Sequence, residues 1–263
     1  MSLFSGVALV IGAGSGDGRA VMHLLVQSGC SKVVLADLNE TNLARVEAEC
    51  RNLGGSQLQI LSQKCDTRVP SDLDRIIASA VNRFGEINYC ANCERPTGPL
   101  EGNTTEISLA EFTNAADVWQ RGTWLAMRSE VRQFLVQKRK DNKSVATIVN
   151  ISASQGLASE SGFPGYCAAG HGIVGMTRAT AMDYLPNGIR INCVCAGPST
   201  GEPAGEPRDL GRVQRRSLPR APLTRDITPE EVAQAVVFLL GEGASGITGI
   251  ELPVDGGWSL YHH

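Results

Sequence analysis

The chain has 263 residues, 42% of them hydrophobic and 19% charged, which suits one large core-bearing domain and is too little for two comfortable ones. A net charge of −3 without a basic run excludes nucleic acid and an anionic membrane surface as expected partners. No apolar run is long enough to span a bilayer, and the start lacks a charged and then apolar leader, so a cytoplasmic protein is expected.

Strand-like and helix-like patterns then alternate along the chain. Val7–Ile11 is an apolar run closed by glycines, and Gly18–Ser28 has a helical pattern. Val33–Ala36 forms the next strand, ends at Asp37 and leads into helix Thr41–Leu53. Leu58–Leu61 is a weaker strand before helix Ser71–Phe84. Ile87–Ala91 precedes the long helical stretch Val118–Lys138. Val145–Ile151, helix Tyr166–Tyr184 and Ile189–Val194 follow. Residues 198–225 are rich in Gly, Pro and Arg without periodicity, and read as a long substrate loop or lid. Helix Pro229–Leu240 has Thr228 and Glu231 at its start, and Ile250–Val254 is the last strand.

Runs apolar on both faces belong in a parallel sheet covered on both sides. The expected fold class is therefore α/β: a single Rossmann-type doubly wound domain over residues 1–263, with a seven-stranded parallel sheet and helices on both faces. The eight cysteines lie scattered, mostly in apolar segments, as small buried hydrophobes in a reducing compartment. Cys90-x-x-Cys93 and Cys193-x-Cys195 lack a supporting histidine cluster, so no metal is expected.

The chemistry-bearing pattern starts at Gly12-Ala13-Gly14-Ser15-Gly16-Asp17-Gly18, between the first strand and the first helix. Glycines there allow a tight turn and let backbone N–H groups approach a pyrophosphate at the helix N-terminus. Asp37 at the end of the second strand is placed to accept ribose hydroxyls and repel a 2′-phosphate, which favours NAD(H) over NADP(H). A helix cap is the plainer reading of Asp37.

With these motifs the chain resembles the short-chain dehydrogenase/reductase family over nearly its whole length. The supporting segments are Cys65-Asp66-Thr67, Ile148-Val149-Asn150-Ile151-Ser152, Tyr166-Cys167-Ala168-Ala169, Gly188-Ile189-Arg190-Ile191-Asn192, the Thr228–Leu240 stretch and Ser245-Gly246-Ile247-Thr248-Gly249 with Val254-Asp255-Gly256-Gly257. The resemblance makes Asp66 an adenine-side residue and puts Asn92 in a turn beside the cofactor. It also implies a Tyr that exchanges the substrate proton, a Lys one helical turn later, a Ser on the preceding strand and an Asn on an earlier helix. Tyr166 matches the Tyr, but the other places hold Gly170, Ala153 and Trp119. On the cofactor side, the turn after the fourth strand reads Asn92-Cys93-Glu94-Arg95 where small residues are the rule, and Asp17 replaces an apolar residue. Ile11, Ala196 and Gly201 are further departures.

An isolated tyrosine titrates near 10, and a lost acid–base partner costs about 10²- to 10⁴-fold. Carbonyl reduction, which needs a proton on oxygen, is thus expected to be poor. The leading expectation is an atypical biosynthetic enzyme acting on a pre-activated small molecule, by hydride transfer to an iminium or by cyclisation or isomerisation, a pattern similar to family members of fungal alkaloid pathways. A catalytically silent scaffold subunit and an ordinary NAD-dependent alcohol dehydrogenase are the alternatives. NAD(H) is the expected cofactor if any is bound. The candidate catalytic residues are Tyr166, Ser152, Ser154 and Trp119, each with a packing role as its plainer reading. The cofactor candidates are Gly12, Gly14, Ser15, Gly16, Gly18, Asp37, Asp66 and Asn92. His171 reads as a packing residue, and Arg95 and Arg121 as solvated charges or holds for an anionic substrate. The resemblance also implies a homodimer or homotetramer.

Overall fold

A computed structural model describes residues 4–14, 16–96, 101–137, 146–198, 223 and 225–261. Seven strands form one sheet: β1 Val7–Ile11, β2 Lys32–Asp37, β3 Gln59–Lys64, β4 Tyr89–Asn92, β5 Thr147–Ala153, β6 Arg190–Ala196 and β7 Glu251–Val254. Their order is β3-β2-β1-β4-β5-β6-β7, and every neighbouring pair is parallel. The expected doubly wound α/β architecture is what the chain adopts.

Helices α1 Gly16–Gln27, α2 Glu40–Gly54 and α7 Pro229–Leu240 cover one face, and α3 Pro70–Phe84, α5 Gly122–Val136 and α6 Pro164–Tyr184 the other. Alternation along β1 shows why both faces must be covered. Ala8 and Val10 pack in the cluster with α1, α2 and α7, while Val7, Leu9 and Ile11 pack in the opposite one, and all five are buried. A short α4, Leu109–Asn114, runs through a π-helical stretch, Ala115–Arg121, into α5. Widened turns of this kind are frequent at functional sites, and this one carries Trp119.

Successive crossovers run outward from β1 to β3, then jump back to β4 on the other side of β1. The reversal opens a crevice at the C-terminal ends of β1 and β4, where Ile11 pairs with Asn92. Several strands extend further toward this end than their apolar runs suggest: β2 to Asp37, β4 to Asn92 and β5 to Ala153. The sequence expectation also begins the fourth long helix at Val118 and omits α4. The signal for α4 is the Ser108–Glu111 capping box, which satisfies both the N-cap N–H and the first-turn N–H. Most of the 198–225 loop lies outside the described residues.

Candidate active site

Gly12 leaves β1 with φ +77°, and a Cβ there would lie 2.7 Å from the Glu94 backbone nitrogen. Gly16 opens α1 with φ +54°, and a Cβ on Gly18 would sit 2.0 Å from the Gly12 carbonyl oxygen. The turn therefore packs on itself and on the turn after β4, so its glycines have a structural reason beside any ligand. Ser15 lies outside the described residues. Gly14 N–H donates to Asp37 Oδ2 at 2.7 Å, and Asn39 N–H to Oδ1 at 2.8 Å. Burial pushes the Asp37 carboxyl up, partly offset by those two N–H donors. Asp66 is held below the usual carboxylate range by Arg68, 2.7 Å away.

Glu94 lies within electrostatic reach of both acids. Burial, then the charges of Asp37 and Asp66, pushes its carboxyl up to about 8, and its buried Oε2 has no hydrogen-bond partner. A set of carboxyl oxygens with one acceptor unused fits a donor-rich group such as a ribose diol. The adenosine end of the crevice thus fits a dinucleotide. The N-terminus of α1 is the element suited to a pyrophosphate.

The Asn92 side chain points away from the crevice, into the core. Its Nδ2 donates to Glu130 Oε2 at 3.1 Å and to Asn150 Oδ1 at 2.9 Å. Asn150 Nδ2 donates onward to Thr177 Oγ1 at 2.9 Å. Glu130 is fully buried, and burial pushes its carboxyl up to about 7 against hydrogen bonds from Asn92 and Cys90.

At the other end of the crevice, Tyr166 lies in the first turn of α6 with its ring 4.5 Å from that of Trp119, at 34°. Trp119 is fully buried and donates its Nε1–H to the Ile151 carbonyl at 3.1 Å. Arg95 reaches the same place from the β4 turn. It pairs with Asp17 at 2.9 Å and lies 3.5 Å from the Ser152 carbonyl oxygen. Burial works against the Arg95 charge, but Asp17 and then Tyr166 outweigh it and the guanidinium is held above its ordinary value.

The two serines are engaged elsewhere. Ser152 Oγ donates to the Gly170 carbonyl at 3.0 Å, and Ser154 Oγ reaches Gln155 Oε1 at 3.4 Å. Both are fully buried. Gly170 is walled in, since a Cβ there would lie 3.1 Å from Gly156 Cα and 3.4 Å from Ser152 Oγ. His171 is exposed, with Nδ1 at 2.9 Å from the Cys167 carbonyl oxygen, and Arg121 pairs with Asp117 at 2.9 Å. Among the described residues no three metal-ligating side chains converge, and all eight cysteines are free and buried. The structure thus gathers Tyr166, Trp119, Arg95 and Asp17, and leaves Ser152, Ser154 and Asn92 in internal bonds. Sequence reasoning set Arg95 aside as a solvated charge. The available signal was the second departure, Asp17: a cation and an anion that both intrude on one turn are each other's natural partner.

A family model described as enoyl-(acyl carrier protein) reductase matches residues 12–259. The chain belongs to the short-chain dehydrogenase/reductase family. It is 34% identical to a cyclohexanol dehydrogenase of Acinetobacter sp. (strain SE19) over 96% of its own length and 94% of that protein's. It is 32% identical to 2-(S)-hydroxypropyl-CoM dehydrogenase 3 of Xanthobacter autotrophicus, covering 95% of both chains. Among solved structures it resembles a levodione reductase with a TM-score of 0.85 and 26% identity, over 97% and 98% of the two chains. A 3-ketoacyl-(acyl-carrier-protein) reductase from Brucella melitensis complexed with NADH superposes with a TM-score of 0.81 at 25% identity, over 98% and 100%. These relatives are named as dehydrogenases and reductases, and they overturn the expectation of an iminium reductase or cyclase. That expectation weighed the changed places at Gly170, Ala153 and Trp119 above the match along the rest of the chain.

Proposed function

We propose that this protein is an NAD(H)-linked oxidoreductase that interconverts a small secondary alcohol and its ketone. The observation that carries the reading is Tyr166 itself: a half-buried phenol at the C-terminal end of β5, beside a crevice whose far end fits adenosine. The dehydrogenase names of relatives that match over nearly the whole chain support it. Asp37 and Glu94 would take the ribose hydroxyls and disfavour a 2′-phosphate, which makes NAD(H) the preferred form, with Gly12, Gly14, Ser15, Gly16 and Gly18 forming the turn and Asp66 on the adenine side. When bound, the nicotinamide gives or accepts the hydride. The Tyr166 oxygen takes the hydroxyl proton in oxidation and returns it in reduction. The Trp119 ring fixes the Tyr166 ring by stacking and closes the pocket floor against water. A homodimer or homotetramer built on α5 and α6 is part of the proposal.

The test is a panel of cyclic and acyclic secondary alcohols and ketones, assayed with NAD(H) and NADP(H) by nicotinamide absorbance. Turnover with NAD(H) that is lost in Tyr166→Phe is the expected result. Tight NADH binding without turnover of any panel member would instead mark a silent subunit.

A further inference from the structure

We infer, on the proposed reading of the crevice as a dinucleotide site, that Asp17 is a built-in competitor of the pyrophosphate: its carboxylate holds Arg95 across the crevice, and Arg95 leaves it for the phosphates when a dinucleotide binds. Strand order sets the scene. β2, β1, β4 and β5 lie side by side in the sheet. β2 ends at Asp37, β1 leads into α1 with Asp17, β4 is followed by Arg95, and β5 carries Ser152. Arg95 Nη2 lies 2.9 Å from Asp17 Oδ2 and 3.5 Å from the Ser152 carbonyl oxygen. One guanidinium therefore bridges α1 to β5 over the end of β4. Asp37 stands at the β2 end of this row. Tyr166 stands at the β5 end, stacked on the Trp119 ring that is bonded to Ile151. A ligand that reaches from Asp37 to Tyr166 has to cross the bridge.

Charge decides what that crossing costs. A helix N-terminus favours an anion, and Asp17 in the first turn of α1 already supplies one. A pyrophosphate brought to the same end meets this buried carboxylate, and like charges set side by side oppose binding. The Arg95 fork has a donor to offer in return. Its Nη2 serves Asp17 and the Ser152 carbonyl, while its Nε is buried without a hydrogen-bond partner. A buried donor left unserved costs free energy. A phosphate oxygen is suited to relieve it, because the guanidinium fork matches phosphate as well as carboxylate. In the free protein the pair keeps either charge from standing alone. Arg95 alone would bring an unpaired cation into the crevice, and Asp17 alone would put a bare carboxylate at the start of α1. The two departures from the family pattern are thus one device.

The experiment is titration calorimetry on the full chain, with adenosine, ADP-ribose and NADH as probes. Asp17→Asn keeps the side-chain shape and removes the competing charge. It is expected to tighten ADP-ribose and NADH about tenfold or more, and to leave adenosine, which has no phosphate, unchanged. Arg95→Gln is expected to weaken ADP-ribose by about tenfold or more, the loss of a hydrogen bond to a charged group. In Asp17→Asn/Arg95→Gln the gain of the first substitution is expected to vanish, because the freed guanidinium is what makes it. A merely structural pair would lower stability in both single variants and leave the affinity ratio of ADP-ribose to adenosine where it was. If Arg95→Gln does not fold, Asp17→Leu joins Asp17→Asn in the test and is expected to tighten ADP-ribose as well. ADP-ribose affinity that is unchanged or weaker in Asp17→Asn overturns the inference, as does a failure of every variant to bind ADP-ribose. Tightening in a protein that turns over no alcohol or ketone keeps the role of Asp17 and sinks the proposed function. Alcohol turnover with no change in affinity does the reverse.

Discussion

Glu130→Gln tests the buried network behind the active-site crevice. Glu130 is fully buried on α5, with Oε2 accepting from Asn92 at 3.1 Å and Oε1 without a hydrogen-bond partner. Burial lifts its carboxyl from 4.5 to about 7. The folded chain therefore holds a proton that the unfolded chain gives up between these two values, and stability falls as pH rises through this window. At ~1.36 kcal/mol for each pH unit, the full loss by about pH 8 is about 3 kcal/mol. Glutamine has the shape of the protonated acid and no charge to bury. The variant should match the wild type within about 1 kcal/mol near pH 4.5 and exceed it by about 3 kcal/mol near pH 8. Denaturant unfolding of both proteins at about half-unit steps from pH 5 to 8.5 measures the difference curve. Glu94 also carries a raised carboxyl, but it is common to both proteins and cancels in the difference. A difference that is flat with pH would refute the reasoning, because it would mean that the site admits the carboxylate without cost.

Tyr166→Phe is expected to lower kcat for alcohol oxidation by about 10²-fold or more while leaving NADH affinity unchanged, as read by nicotinamide fluorescence. NADH binding should weaken as pH rises through about 8, where Glu94 ionises beside Asp37 and Asp66; titration calorimetry on Glu94→Gln should show that dependence removed. Gly18→Ala places a Cβ 2.0 Å from the Gly12 carbonyl oxygen and should cost about 3 kcal/mol or more in thermal unfolding; a stable variant would show that the turn relaxes easily.

The alternation of apolar strands and amphipathic helices was enough to specify the sheet, because parallel strands buried on both faces leave an unbroken hydrophobic record in the sequence. Pro229–Leu240 was legible to its ends because a capping box and a terminal glycine mark them. The strand ends were not. Asn92, Asn150, Ser152 and Ala153 lie beyond or interrupt the apolar pattern, yet backbone pairing with the neighbouring strand continues through them. Tyr166 was legible as a candidate because its family segment is local in sequence. Whether Ser152 or Ser154 faces the crevice was not, since a hydroxyl's direction depends on which carbonyl the folded chain offers it.

Sequence by itself determined the fold, the glycine turn at β1, the acid at the end of β2 and the departure at Gly170, each carried by neighbouring residues along the chain. Only the tertiary structure decided what Arg95 pairs with. Arg95 lies far from Asp17 in sequence, and the two meet because β4 pairs beside β1 and brings the turns that follow these strands together. A charge acts through space, so its partners are set by strand order and not by spacing along the chain.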